Sequence, residues 1–315
     1  DEMEDLISEN DNSGNGGNSG GGNSGGSGST VDGVPIPAGF VYVGGTKDSG
    51  LVISDAAADK EKYKGQTTVG TDLAGNQFVW IPVENIADYK RTAYAGNSLS
   101  RYSETLADDE KTSVETNKGF YIGRYEAGDQ ESTNSKTLRT SSSSTSNKIT
   151  VKAGQAPYNY IKYTDAKKLA EGFSTKQGYT SVKSKLVSSY AWDTAIAFIQ
   201  KTNSDYGSSS EEGNYKDSPT FTYTGIADTE KNKQTKANGT STLIPTGQTT
   251  AVNNIYDMGG NVCELTTESS SNAFPPYSPR GGNFYNNFAG YPAGDRTLYS
   301  DLAYDSIGFR CTLYL

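Results

Sequence analysis

The chain offers residue types for only a narrow range of chemistry. None of its 315 residues is His, while it holds 37 Asp and Glu, 22 Tyr and two Cys. His is the usual general base near neutral pH and a common zinc ligand, so its absence excludes Ser-His-Asp triads, His-based zinc sites and Cys-His nucleophile pairs. Any catalysis would have to use carboxylates, Tyr, Lys or Cys.

The two cysteines, Cys263 and Cys311, lie in sequence that is typical of β-strands. An even number of cysteines in a chain that looks secreted favours a disulfide. We therefore predict a bond between them, closing a loop of about 48 residues and contributing roughly 4 kcal/mol in the chain-entropy model. Two separate buried thiols are the alternative.

A run of aromatic and short polar side chains extends from Asn283 to Asp305. This composition is typical of a binding surface, because Tyr supplies rigid contact area at low entropy cost and Asn or Asp supplies adaptable hydrogen bonds. The side chains predicted to contact a ligand are Tyr285, Asn286, Asn287, Phe288, Tyr291, Asp295, Tyr299 and Asp301. Two alternatives remain open: Tyr simply fills loop surfaces in this Tyr-rich chain, or the binding face is formed by Tyr158, Tyr160 and Tyr163.

Short strands and two helices must position these residues. Patterns typical of strands occur in three places, at residues 40–43, 75–83 and 119–128. Helical spacing begins near Thr164 and again near Ser188, and the hydroxyls of Thr164 and Ser189 are candidate N-caps. Short strands, few helices and long loops together indicate an irregular α+β fold.

The domain organisation is predicted from composition. Residues 1–33 combine an acidic tail with a Gly/Asn/Ser-rich linker, which has no apolar surface to bury and should be disordered. About 19 such flexible residues would span roughly 25 Å. Residues 34–315 are predicted to form a single domain.

Charge and hydropathy restrict the partners. A net charge of −9 disfavours nucleic acid, since phosphate binding requires clustered Lys and Arg. No apolar run approaches the roughly 20 residues of a membrane-spanning helix, so membrane attachment would use an anchor upstream of Asp1. We predict an extracellular or bacterial cell-surface location.

Six sequence blocks, read in order, resemble the formylglycine-generating-enzyme (sulfatase-modifying factor) family. They are GFYIGRYEAG, APYNYIKYTDAKKLA, SKLVSSYAWDTAIAFI, NNIYDMGGNVCELTTE, SPRGGNFY and IGFRCTLYL. The resemblance, from about Gly119 onward, implies the α+β fold shared with C-type lectins: two main helices, short antiparallel strands, long loops and domain termini that lie close together. Two landmarks of the resemblance, the triplet Arg280-Gly281-Gly282 and the triplet Gly308-Phe309-Arg310, are expected to be structural rather than functional.

The resemblance also indicates which chemistry is missing. The family's oxidase activity depends on a copper-binding pair of cysteines just after the RGG strand, and here that stretch, GGNFYNNFAGYPAGDRT, has none. We therefore expect no copper and no catalysis. The family's calcium site falls on Asp257, Gly260, Val262 and Glu264, with carboxylates from the two acids and carbonyls from the other two. Alternatively, Asp257 caps a turn and Glu264 pairs with a base such as Arg310.

The stretch from Asn283 to Asp305 also resembles the variable region of diversity-generating-retroelement proteins, which place Asn, Tyr, Ser and Asp at mutable positions on this scaffold. These observations predict an extracellular adhesin or receptor-like module that binds a protein or glycan. The alternatives are a formylglycine-generating-type oxidoreductase and a structural subunit of a surface filament.

Overall fold

A computed structural model describes residues 28–141, 146–209, 211–226, 232–271, 276–299 and 301–315. Within these ranges the strands are β1 (Thr30–Val31), β2 (Val34–Pro35), β3 (Val41–Gly44), β4 (Val52–Ser54), β5 (Gln77–Pro82), β6 (Tyr102–Ser103), β7 (Gly119–Gly123), β8 (Gly128–Asp129), β9 (Ile149–Thr150), β10 (Lys183–Leu186), β11 (Phe221–Thr224), β12 (Lys233–Lys236), β13 (Cys263–Leu265), β14 (Ser269–Ser270), β15 (Ile307–Phe309) and β16 (Cys311–Tyr314). The α-helices there are α1 (Asp108–Asn117), α2 (Gln130–Asn134), α3 (Tyr163–Gln177) and α4 (Ser189–Ile199).

The first strand, β1, lies before Val34, where the domain is predicted to begin. Strand β1 pairs with β2 in an antiparallel hairpin, so ordered structure precedes Val34. The remainder of the predicted tail and linker, residues 1–27, lies outside the described residues.

A six-stranded sheet with the order β10-β16-β7-β5-β4-β3 forms the centre of the molecule. All neighbouring strands in it run antiparallel. The final strand, β16, lies inside the sheet, between β10 and β7. Tyr121 in β7 pairs with Leu313 and donates its hydroxyl to Pro35 O (2.9 Å), so the two ends of the domain meet at this residue.

Side chains alternate between the two faces of the sheet, as the strand repeat requires. Phe78 and Trp80 of β5 belong to one apolar cluster, while Val79 and Ile81 belong to a second. Helix α3 contributes to the first cluster and α4 to the second. The result is an α+β protein in three layers, with the sheet in the middle.

Both helices predicted from the sequence are present, but their caps differ. No side chain at the N-cap of α3 accepts a hydrogen bond; instead Asp301 Oδ1 accepts from Tyr163 N at 2.9 Å. Thr164 lies inside the first turn, so its predicted capping role is wrong. In α4 the cap is Ser188, one residue before the predicted Ser189, and its Oγ accepts from the third helical N–H at 3.0 Å.

The chain between β14 and β15 is largely irregular. Isolated antiparallel bridges join Tyr277 to Tyr299 and Arg280 to Arg296, so this long connection is tied to itself. No helix in the described part of the chain is long and apolar enough to cross a membrane.

Candidate functional site

Two buried arginines fix the ends of the predicted binding segment. Arg280 donates to Asp193 Oδ1 (2.5 Å) and to the carbonyls of Gly294 and Asp295 (both 3.0 Å). Arg310 donates to both oxygens of Glu264, at 2.9 and 2.7 Å. Both guanidinium groups are fully buried, which fits the structural role expected for these landmarks.

The middle of the segment is also anchored. Arg296 is buried and pairs with Asp193 (2.5 Å) and Glu268 (2.7 Å). Asp295 next to it is only 7% exposed, and its side chain accepts from Asn97 Nδ2 at 3.2 Å and from the Thr297 hydroxyl at 2.9 Å. Asp295 is predicted to contact a ligand, but its carboxylate is bound by the side chain of Asn97 and by that of Thr297 within the segment itself.

The rest of the segment carries large apolar side chains that are exposed to solvent. Among the described residues, four large hydrophobic side chains are exposed, and all lie in this segment: Tyr285 (50%), Tyr291 (40%), Leu302 (48%) and Tyr304 (44%). Contiguous exposed apolar groups on a soluble protein are typical of interaction sites.

Contacts join several of these groups into one surface. The Tyr285 hydroxyl donates to Asp305 Oδ2 at 2.6 Å, and the rings of Tyr299 and Tyr304 meet edge to face with centroids 5.4 Å apart. The Tyr299 hydroxyl donates to Leu302 O at 3.0 Å. We call this surface, together with the neighbouring Tyr160, the tyrosine face; its apolar members are Tyr160, Tyr285, Tyr299, Leu302 and Tyr304.

Asn286, Asn287 and Phe288 lie where two successive turns of the loop meet, beside this face. Asn286 Oδ1 accepts from Asn283 N (2.9 Å), and Asn287 O accepts from Tyr291 N (3.1 Å). Phe288 is half-buried against Tyr215, with ring centroids 6.3 Å apart. The two asparagines therefore shape the loop with their own atoms, while Asn287 and Tyr291 remain exposed.

Sequence reasoning separated two groups of residues that the structure brings together. Tyr160 N donates to Tyr304 O (2.9 Å), and Asn159 Nδ2 donates to Asp305 O (2.7 Å). Tyr160 has φ +49°, a left-handed conformation that a bulky side chain rarely adopts and that is often found at functional sites. Tyr158, by contrast, is fully buried. Of the alternative face (Tyr158, Tyr160 and Tyr163), Tyr160 therefore lies next to the predicted binding segment, while Tyr158 does not reach the surface. The only sequence feature that indicates this contact is the abundance of Tyr in both stretches.

The two carboxylates assigned to calcium, those of Asp257 and Glu264, already accept hydrogen bonds within the protein. Asp257 Oδ2 accepts from Gly247 N (2.8 Å) and Oδ1 from the Thr249 hydroxyl (2.9 Å), while both Glu264 oxygens accept from Arg310. Their oxygens are therefore already used by N–H and O–H donors. No cluster of three or more acidic or Cys side chains among the described residues is arranged to hold a metal ion.

Two backbone N–H groups of the same segment also donate hydrogen bonds within the protein. Gly260 N donates to Gly281 O at 2.8 Å, and Val262 N donates to Glu126 Oε1 at 3.2 Å. Glu126 is a buried carboxyl that the sequence did not single out. Its burial, and then the nearby Asp257 and Glu264 carboxylates, raise its pKa well above the usual range. The arrangement matches the alternative interpretation of Asp257 as a turn cap and Glu264 as a partner of a base.

The predicted disulfide is absent, because Cys263 and Cys311 are free buried thiols. Cys263 lies opposite Ile307 in the β13–β15 pair, and Cys311 follows four residues later in the chain. Four extended residues span about 13 Å, whereas a disulfide needs Cα atoms within roughly 7 Å. Burial raises the pKa of each thiol to about 12.

The central sheet, its helices and the long irregular C-terminal segment define an α+β protein with the C-type-lectin-like fold of formylglycine-generating enzymes. The chain belongs to the sulfatase-modifying factor enzyme 1-like domain family, which it matches over residues 32–314.

Solved structures with a similar fold include three proteins. Treponema denticola variable protein 1 is 12% identical, with 79% of this chain and 98% of that chain covered and a TM-score of 0.40. PvdO from Pseudomonas aeruginosa is 17% identical, with 79% and 98% covered and a TM-score of 0.42. CarF is 14% identical, with 62% and 87% covered and a TM-score of 0.40. No curated protein matches the chain.

Proposed function

We propose that this protein is a ligand-binding module, displayed outside a bacterial cell as an adhesin or receptor, and that the tyrosine face contacts a protein or glycan. The observation that carries the proposal is the exposure of large apolar side chains. All four that are exposed among the described residues lie between Tyr285 and Tyr304. Elsewhere in the described chain, large apolar side chains are at least partly covered.

The support beneath the face favours binding. Arg296 is held from below by two buried carboxylates, and Asp301 is held by the first N–H of α3. Tyr160 N fixes the backbone of Tyr304. A surface that is already ordered loses less conformational entropy when a partner docks, which improves affinity.

The thiols argue for binding rather than redox catalysis. Cys263 and Cys311 are 3% and 0% exposed, and their raised pKa keeps both protonated near neutral pH. The thiolate is the reactive form of cysteine, so neither side chain is suited to thiol exchange with a substrate. This chemistry weakens the oxidoreductase alternative.

The test is a screen of the full chain against a glycan array and an array of purified extracellular proteins. The double variant Tyr285→Ala/Tyr304→Ala should lose the signal of any specific ligand, whereas Lys168→Ala, an exposed change on α3, should keep it. A ligand bound equally by all three proteins would place the binding site elsewhere.

A further inference from the structure

We propose that the partner of the tyrosine face is a protein surface that presents Lys or Arg side chains between apolar groups. This inference rests on the proposed binding function and specifies the chemistry of the ligand. It is drawn from the charges of the face, the state of its carboxylates and its shape.

The exposed charge of the C-terminal segment is negative. Between Asn283 and Asp305 the sequence has one basic residue, Arg296, and this residue is buried in ion pairs with Asp193 and Glu268. The acidic residues that reach the surface are Asp301 and Asp305, both half-buried. A cationic partner would meet complementary charge there, and an anionic partner would be repelled.

Each of these carboxylates is fixed through one oxygen. Asp301 Oδ1 accepts from Tyr163 N at 2.9 Å, and Asp305 Oδ2 accepts from the Tyr285 hydroxyl at 2.6 Å. Neither carboxylate has an ion pair with Lys or Arg among the described residues, and neither second oxygen has a hydrogen-bond partner there. The two groups are thus oriented without being neutralised.

Two electron-rich rings, those of Tyr285 and Tyr160, lie close to Asp305. The hydrogen bond to Asp305 is the main reason that the pKa of Tyr285 rises to about 12. Burial, and then the Asp305 charge, raise the pKa of Tyr160, so both rings lie within the field of this carboxylate. Rings beside carboxylates suit an ammonium or guanidinium group, which can contact a ring face and pair with the acid at once.

One exposed cation precedes α3 in the chain, close to Tyr160. Lys162, which immediately precedes α3, is exposed. With Asp301 and Asp305, the three charges still sum to a negative value. The whole chain carries −9, which would also attract a basic partner over longer distances.

The shape of the face favours a protein over a small saccharide. The described part of the molecule has clefts of about 430, 470, 450, 270 and 460 Å³, and none of these five is lined by Tyr285, Tyr304 or Asp305. Small ligands prefer concave sites, whereas protein partners bind across open surfaces with aromatic anchors. The tyrosine face is of the second kind.

The test uses the immobilised full chain and a peptide of alternating Lys and Leu as the probe. Matched peptides carry Ser or Glu in place of Lys, and neutral oligosaccharides form a separate arm. The Lys peptide should bind saturably and more weakly at higher salt. Asp305→Asn and Asp301→Asn should each weaken it about two- to fivefold, because Asn keeps the hydrogen bond and removes the charge.

Glu115→Gln is the matched control, since Glu115 is exposed on α1 and lies outside the face. It should leave the affinity unchanged. Equal binding of the Ser peptide, no binding of the Lys peptide, or full binding by Asp305→Asn would each overturn the inference. If oligosaccharides bind instead and Tyr304→Ala abolishes that binding, the binding function stands and the basic partner is wrong.

Discussion

The Tyr285 hydroxyl donates to Asp305 Oδ2 at 2.6 Å across 20 residues of chain. The bond joins the beginning of the candidate binding segment to its end. The ring of Tyr285 nevertheless stays half exposed. A single hydrogen bond therefore closes the segment into one surface while leaving an aromatic group available to a partner.

The two cysteines should behave as buried thiols in the native protein. Because both are almost inaccessible and hard to deprotonate, we expect no alkylation by iodoacetamide under native conditions and two alkylations after unfolding. Mass spectrometry without reductant measures this directly. A mass two hydrogens lower, with no alkylation after unfolding, would show that the disulfide predicted from the sequence does form.

Calcium should have little effect on stability. The carboxylates of Asp257 and Glu264 already accept from Gly247, Thr249 and Arg310, so an ion would have to displace these donors. We expect the same melting temperature with calcium and with chelator. A bound ion at a hundredfold excess over its Kd would add about 2.7 kcal/mol. A calcium-dependent rise that Asp257→Ala removes would restore the calcium site implied by the family resemblance.

Asp193 should be a strong determinant of stability. It is fully buried and pairs with both Arg280 and Arg296, so Asp193→Ala leaves two buried guanidinium groups short of an acceptor. Removing one partner of a buried ion pair typically costs about 3–5 kcal/mol. Urea denaturation should show this loss, while the exposed change Glu115→Ala should alter the free energy of unfolding little. Similar values for the two variants would mean that the network contributes almost nothing.

Stability should fall as the pH rises toward neutrality. Burial raises the pKa of Glu104 from 4.5 to about 7, so the folded state holds this proton more tightly than the unfolded state. The resulting stabilisation is complete below the unfolded pKa and is lost as the pH passes through about 7, amounting to at most about 3 kcal/mol. Glu104→Gln should flatten the dependence of the unfolding free energy between about pH 5 and about pH 8. An unchanged slope in the variant would assign the effect to other groups, of which Glu126 is the first candidate.

Parts of the fold could be predicted because they follow local periodicity. Strand β5 and helices α3 and α4 carry apolar side chains at the strand or helix repeat, and all three formed where expected. Helix α1 was missed since it begins with three acidic residues and buries only one apolar side chain, Val114. Its position depends on packing against the sheet, which the local sequence does not encode.

The sequence was enough to predict which segment carries the candidate site, but not which of its side chains are exposed. The exposed aromatic side chains lie in the expected segment. Asp295, in contrast, is buried, because the neighbouring Arg296 forms an ion pair with Asp193, 103 residues earlier in the chain. Tyr160 joined the face through a left-handed backbone conformation and a hydrogen bond to Tyr304. Both outcomes depend on contacts between distant parts of the chain.

The central claim is tested most directly by the affinity of the tyrosine-face variants for a ligand found on the arrays. Tyr285→Ala and Tyr304→Ala should each weaken binding by about 2 kcal/mol or more, roughly thirtyfold, because aromatic anchors dominate such interfaces. Lys168→Ala should match the unaltered protein in affinity and in melting temperature, since its side chain is exposed. Tyr304→Ala should melt at nearly the same temperature, whereas Tyr285→Ala also removes the hydrogen bond to Asp305 and should melt slightly lower while staying folded. Unchanged affinity in both tyrosine variants, with the folds intact, would contradict the account.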